Sequence, residues 1–171
     1  LKIKNISMES DGANLNELEK ILKNTNNDEQ VLFYTIPAFH NPTSITMSDT
    51  KRNLLKKLAN KYSNLYVVAD EVYQLLYFDD ETKPPLPLKY YHENFISLGS
   101  FSKILAPSLR LGWIHASDKI INIICNSALL DSSGGLNPIT SSIVHQMLED
   151  GTFAKNVIKN REILKERCMI L

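Results

Sequence analysis

Val31-Leu32-Phe33-Tyr34-Thr35-Ile36 is an unbroken β-prone run stopped by Pro37, and Leu65-Tyr66-Val67-Val68-Ala69 repeats the pattern before stopping at Asp70-Glu71. Apolar runs without polar alternation read as strands buried on both faces, the pattern of a parallel sheet. Between the two, Ser48 can cap a helix that places Leu54, Leu55, Leu58, Ala59 and Tyr62 on one face, opposite Lys51, Arg52, Lys56 and Lys57. The basic side reads as a solvated face. Strand, helix and strand in this order make a right-handed crossover unit, and hence an α/β architecture.

Working outward, Asn14-Leu15-Asn16-Glu17 has the form of a capping box ahead of Leu18, Ile21 and Leu22 at helical spacing. On the other side, Asp79 to Leu88 contains Pro84, Pro85 and Pro87 and reads as an exposed connection to a third strand, Phe95-Ile96-Ser97-Leu98. Leu111 to His115 supplies a fourth. Ser117 can cap an isoleucine-rich helix running to Leu130, and Gly134-Gly135 after Asp131-Ser132-Ser133 reads as a turn. Asn137-Pro138 opens a further helix, and Gly151-Thr152 separates it from a last one with Phe153, Val157, Leu164, Cys168 and Leu171 on one stripe.

Composition narrows the function classes. Nineteen basic residues balance nineteen acidic ones over 171 residues, so no basic face for nucleic acid is implied. Ile120-Ile121-Asn122-Ile123-Ile124, the most apolar stretch, falls far short of the ~20 residues a bilayer span needs, so no membrane partner is expected. Residues 1–6 lack the features of a signal peptide, and two cysteines, Cys125 and Cys168, are too few for a disulfide scaffold. A reducing, cytoplasmic compartment is the expectation. The chain opens on leucine and closes inside a helical pattern, which suggests part of a longer polypeptide.

Parallel sheets bind ligands beyond the carboxyl ends of their strands. There the sequence sets His40-Asn41-Pro42-Thr43 after the first strand, Asp70-Glu71-Val72-Tyr73 after the second, and Gly99-Ser100-Phe101-Ser102-Lys103 after the third, with Arg110 seven residues further. Two hydroxyls and a guanidinium suit a dianion, while an aspartate, an amide, a phenol and a nucleophilic lysine are what a phosphorylated aldehyde requires. Neither the P-loop nor the dinucleotide glycine pattern occurs. The histidines at 40, 92, 115 and 145 show no metal spacing, and no metal is assigned.

Ser100-Phe101-Ser102-Lys103-Ile104-Leu105-Ala106-Pro107-Ser108-Leu109-Arg110-Leu111-Gly112-Trp113 resembles the cofactor-lysine signature of class I/II aminotransferases. Pro37 to Ser44 resembles the family's Asn-Pro-Thr-Gly turn, and Asp70-Glu71-Val72-Tyr73 its Asp-Glu-x-Tyr element, in the family's order. Ser44 departs from the family by standing where glycine is usual. The resemblance runs from about residue 31 to the end and is closest to the branch of kynurenine and 2-aminoadipate aminotransferases.

That resemblance implies pyridoxal 5'-phosphate on the central portion of the mainly parallel-sheet large domain of a fold type I transferase, with residues 1–171 forming part of that domain. It implies a Schiff base at Lys103 and Asp70 against the pyridine nitrogen. Asn41 and Tyr73 would meet the ring hydroxyl oxygen, and Ser100, Ser102 and Arg110 the phosphate. The catalytic set is then Lys103, Asp70 and Tyr73, acting on an amino acid and a 2-oxo acid, in a homodimer when the protein is full length. An isolated fragment lacking the family's N-terminal segment and small domain is expected to be inactive. Two alternatives stand beside this: another fold type I enzyme, such as a carbon-sulfur lyase or cyclopropane-carboxylate synthase, and the aminotransferase-like regulatory domain of a transcription regulator. The latter would carry a helix-turn-helix, which residues 1–30 do not resemble.

Overall fold

The computed structural model describes residues 1–127, 130 and 137–170. A small antiparallel hairpin of β1 (Met8–Glu9) and β2 (Gly12–Ala13) precedes α1 (Leu15–Lys23). Then follow β3 (Val31–Thr35), α2 (Asp49–Lys61), β4 (Leu65–Asp70), β5 (Phe95–Ser100), β6 (Gly112–His115), α3 (Asp118–Cys125), α4 (Pro138–Glu149) and α5 (Thr152–Ile170). The main sheet runs β3-β4-β5-β6, with β3, β4 and β5 parallel and β6 antiparallel to β5. The expected α/β fold with a mainly parallel sheet is present.

The sheet's two faces differ. Phe33, Leu65, Val67, Ala69 and Phe95 point to one side and pack on Leu15, Leu18 and Leu22 of α1 and on Leu55, Leu58 and Ala59 of α2. Leu32 and Tyr34, on the other side of β3, are exposed at 66% and 55%. The reading of Val31–Ile36 as a strand buried on both faces therefore fails. β3 is an edge strand, and on its second face Leu32 lines a groove with Tyr66, Ile96 and Ile120, Ile123 and Ile124 of α3.

The caps behave as their chemistry dictates, with one exchange of partners. Asn14 Oδ1 accepts from the N–H groups of Asn16 and Glu17 at 3.1 and 3.2 Å. Glu17, however, does not return to Asn14; its carboxylate takes the N–H and hydroxyl of Ser7, both at 2.8 Å. Ser48 Oγ accepts from Lys51 N as expected, whereas Ser117 precedes α3 without a side-chain cap. The helix it starts ends at Cys125 rather than Leu130. Gly134 and Gly135 lie outside the described residues.

The basic side of α2 is the largest departure. Lys51 and Arg52 are buried, not solvated. The Lys51 ammonium lies between the carboxylates of Glu9 and Asp11 and also reaches the carbonyls of Gly12 and Ala13, tying α2 to the N-terminal hairpin. Only Lys56 and Lys57 keep the expected exposure, while Leu54, placed on the apolar face, is 40% exposed.

A second core forms beyond the sheet's carboxyl end, where Phe101, Ile104 and Val144 are buried with Leu75, Leu76, Leu109, Leu111 and Phe153 against them. The apolar stripe of α5 holds only over its first half: Val157 is buried, but Leu164 and Cys168 are exposed. No helix among the described residues is long and apolar enough to cross a membrane.

Candidate functional site at the carboxyl end of the sheet

Parallel register puts the ends of β3, β4 and β5 at one edge, because Thr35 pairs with Ala69 and Asp70 with Leu98. The antiparallel β6 adds its beginning to the same edge, since Ser100 pairs with Gly112. The segments carrying Asn41, Asp70 with Tyr73, Ser100 to Lys103, and Arg110 thus converge on one end of the sheet. Sequence separation alone could not show this; topology does.

Each segment is held by specific bonds. The turn after β3 closes through His40 N to Ile45 O at 2.9 Å and the His40 ring nitrogen to Thr43 Oγ1 at 2.8 Å, leaving Asn41 exposed. The Asn41–Pro42 peptide is cis. Ser44 has φ +60°, the left-handed region a glycine would adopt without strain. The lysine loop leaves β5 through Ser102 N to Ser100 Oγ at 3.1 Å and curls so that Leu105 N reaches Phe101 O at 2.8 Å, with the Lys103 side chain exposed. Phe101 N donates to Leu111 O at 3.0 Å, fixing this loop to the turn in which Arg110 takes a left-handed conformation. Among the described residues, no hydrogen bond links the side chains of Asn41, Tyr73, Lys103 and Arg110 to one another.

Asp70 ends β4 at this edge. Its Oδ2 accepts from the Tyr34 hydroxyl at 2.7 Å, while its Oδ1 is buried with no partner among the described residues. A buried carboxylate oxygen without a donor is costly, of order 1–3 kcal/mol or more for a charged group. A protonated ring nitrogen is a donor suited to it. Two hydroxyls, a guanidinium and a primary amine at the same sheet end add the groups a phosphorylated aldehyde needs. The residues present therefore fit pyridoxal phosphate.

Several residues that the sequence reading did not single out shape this end. Tyr34 is one; burial first, then Asp70 and Tyr73, push its phenol up to about 12. Arg52 is another, donating through Nε to Met47 O, through Nη2 to Pro37 O and through Nη1 to Leu86 O, which clamps both ends of the Asn41 turn to the proline-rich connection. That connection is consequently not wholly exposed, since Pro84 and Leu88 are buried. From α5, Asn156 and Asn160 both donate to Ile104 O, beside Lys103, and Arg161 donates to Leu75 O while stacking on Tyr77 at 3.6 Å. The i, i+4 spacing of the two asparagines on one helix face was the available signal.

Comparison with known proteins agrees with this geometry. A model of the family "Aminotransferase class I and II" matches residues 2–171. An uncharacterized HTH-type transcriptional regulator of Bacillus subtilis is 34% identical over 138 residues, 80% of this chain and 28% of that protein. The crystal structure of a multiple substrate aminotransferase from Thermococcus profundus superposes with a TM-score of 0.79 at 32% identity, covering 95% of this chain and 40% of the other. Kynurenine aminotransferase from Pyrococcus horikoshii superposes with a TM-score of 0.82 at 28% identity, with the same coverage of 95% and 40%. The chain thus spans between about a quarter and two fifths of the length of these proteins. Matched along nearly its whole length and sharing their α/β core, the chain belongs to the aminotransferase class I and II family.

Proposed function

We propose that the protein carrying this chain is a pyridoxal 5'-phosphate-dependent aminotransferase, moving an amino group from an amino acid to a 2-oxo acid, and that residues 1–171 are part of its cofactor-binding large domain. The observation that carries this reading is the buried Oδ1 of Asp70, without a partner among the described residues, at the sheet end that also bears Lys103. The cofactor, when bound, supplies an electron sink for the pair left on the substrate carbon as its proton departs.

The chain's own groups supply the rest. Asp70 would accept from the ring nitrogen and keep it protonated. Asn41 and Tyr73 would hydrogen-bond the ring hydroxyl oxygen, while Ser100, Ser102 and Arg110 would hold the phosphate through charge-assisted bonds that fix the ring. Lys103 would provide the amine that anchors the aldehyde group, and the same amine, when free, would be the base that moves the proton from the substrate carbon. A cytoplasmic homodimer is the assembly we infer for the full-length protein, with the sheet's open apolar face consistent with further covering elements.

Visible absorption of the full-length protein with pyridoxal phosphate, before and after kynurenine, 2-aminoadipate and a wider panel of amino acids, tests the reading. A cofactor band that one donor converts, and that Lys103→Ala abolishes, supports it; absence of any band overturns the Lys103 assignment. A second reading, an aminotransferase-like regulatory domain, is favoured by the similarity to the B. subtilis regulator. It predicts a band that no donor moves.

A further inference from the structure

Tyr34 sits on β3, one strand away from Asp70. Its register partner is Val68, two residues before Asp70, so Tyr34 and Asp70 occupy the same face of the sheet on a diagonal that a tyrosine is long enough to cross. The hydroxyl closes that diagonal at 2.7 Å on Oδ2. A carboxylate free to turn about its last side-chain bond presents either oxygen in any direction, because that torsion is broad. With Oδ2 held, Oδ1 has one position, and it is this oxygen that is buried and without a partner among the described residues.

We propose that Tyr34 is a positioning residue that fixes the Asp70 carboxylate so that Oδ1 alone faces the cofactor's ring nitrogen. This rests on the function proposed above but adds a residue outside the lysine loop, the Asn41 turn and the Asp70–Tyr73 element. Tyr34 donates to the carboxylate, and that bond opposes ionisation of the phenol itself. Burial first, and then this bond, push the phenol up to about 12. Asp70 and Tyr73 are the titratable groups that face the phenol, while Glu71 is turned to the other face toward Arg52.

The experiment compares the full-length protein with its Tyr34→Phe variant, which keeps the ring and removes only the donor. The cofactor is labelled with nitrogen-15 in the pyridine ring, and its resonance reports protonation of that nitrogen without reference to turnover. The expected result is a displaced or broadened resonance in Tyr34→Phe, roughly tenfold weaker cofactor binding, and kcat reduced about tenfold while KM for the amino acid stays within twofold. A role confined to stability would lower the melting temperature and leave the bound resonance where it is, and that outcome overturns the proposal. A second measurement uses cofactor-free protein with labelled tyrosine: Asp70→Asn should let the Tyr34 phenol ionise at lower pH, and an unchanged titration would also overturn it. Should the wild-type protein show no bound nitrogen-15 resonance at all, the proposed function and this inference fall together. Should wild type bind and Tyr34→Phe match it, only the inference falls.

Discussion

Nη1 of Arg52 lies 3.9 Å from Oε1 of Glu71, with the arginine side chain fully enclosed and the glutamate 4% exposed. The pair joins α2 to the residue that follows Asp70, and the guanidinium spends its remaining donors on Met47, Pro37 and Leu86 carbonyls. Glu71 in turn accepts from Leu88 N at 2.8 Å, so one buried node holds the Asn41 turn, the end of β4 and the proline-rich connection together.

Removing the arginine takes the side-chain donor from the Met47 and Leu86 carbonyls, leaves Pro37 O with Met47 N alone, and removes the cation beside the buried Glu71 carboxyl. Breaking one partner of a buried pair typically costs 3–5 kcal/mol, and Arg52→Met should fall in that range in chemical denaturation. Arg52→Lys keeps the charge but loses the fork, so an intermediate loss is expected. A loss below about 1 kcal/mol for the methionine variant would contradict the role given to the node.

Glu71 also gives a pH signature. Burial pushes its carboxyl above the ordinary carboxylate range, against the lowering influence of the Ser97 hydroxyl, the Leu88 N–H and Arg52, and its Oε2 has no partner among the described residues. A group that binds its proton more tightly folded than unfolded contributes stability below its unfolded value and loses it as pH rises through the folded one. The stability of wild type relative to Glu71→Gln should therefore decline as pH climbs above 4.5, the ordinary value. Urea unfolding of both proteins between pH 4 and 7 checks the sign; a difference that grows with pH would refute it.

At Gly99 the constraint is steric. A Cβ there would lie 2.0 Å from Cε2 of Trp113, whose indole covers this glycine and packs on Phe101 at 4.8 Å. Gly99→Ala must therefore displace the indole or the strand, costing about 1–3 kcal/mol as overpacking does. Because Ser100 and the lysine loop follow directly, cofactor affinity should fall as well. The fluorescence of Trp113, the sole tryptophan of residues 1–171, should shift to longer wavelength; an unmoved spectrum with unchanged stability would dismiss the argument.

Ser44 offers a test in the stabilising direction. At φ +60° a serine bears the steric cost of the left-handed region, about 1–2 kcal/mol, which glycine avoids while gaining freedom in the unfolded chain. Ser44→Gly should raise stability by up to about 1 kcal/mol without altering the turn. Thermal unfolding decides it, and destabilisation would mean that Ser44 makes contacts the backbone geometry does not show.

The sequence was most legible where local rules act alone. Apolar runs gave β3, β4 and β5, the caps at Asn14 and Ser48 set helix starts, and the motif residues fall at the strand ends where a parallel sheet collects its chemistry. It was least legible where the answer depends on what lies across the fold. Arg52 sits on the polar side of its helix by periodicity, yet both ends of the Asn41 turn and the proline-rich connection close over it. Tyr34 looked like one more apolar strand residue, because only the β3–β4 register reveals that its hydroxyl meets Asp70. The hairpin at Met8–Ala13 escaped notice because strands of two residues carry no periodicity.

The carbonyl of Ile104 adjoins Lys103 and accepts from two side chains at once, Asn156 at 3.2 Å and Asn160 at 3.0 Å. Ile104 is 1% exposed, so its carbonyl needs at least one donor, but either asparagine suffices. Each single alanine substitution should then cost little, about 0.5–1 kcal/mol for a lost neutral hydrogen bond. The double substitution leaves the acceptor unpaired and should cost about 1–3 kcal/mol beyond the sum of the singles. A double-mutant cycle in urea measures this coupling, and cofactor affinity measured on the same four proteins shows whether it reaches Lys103. Simple additivity would mean that water satisfies Ile104 and that α5 does not hold the lysine loop.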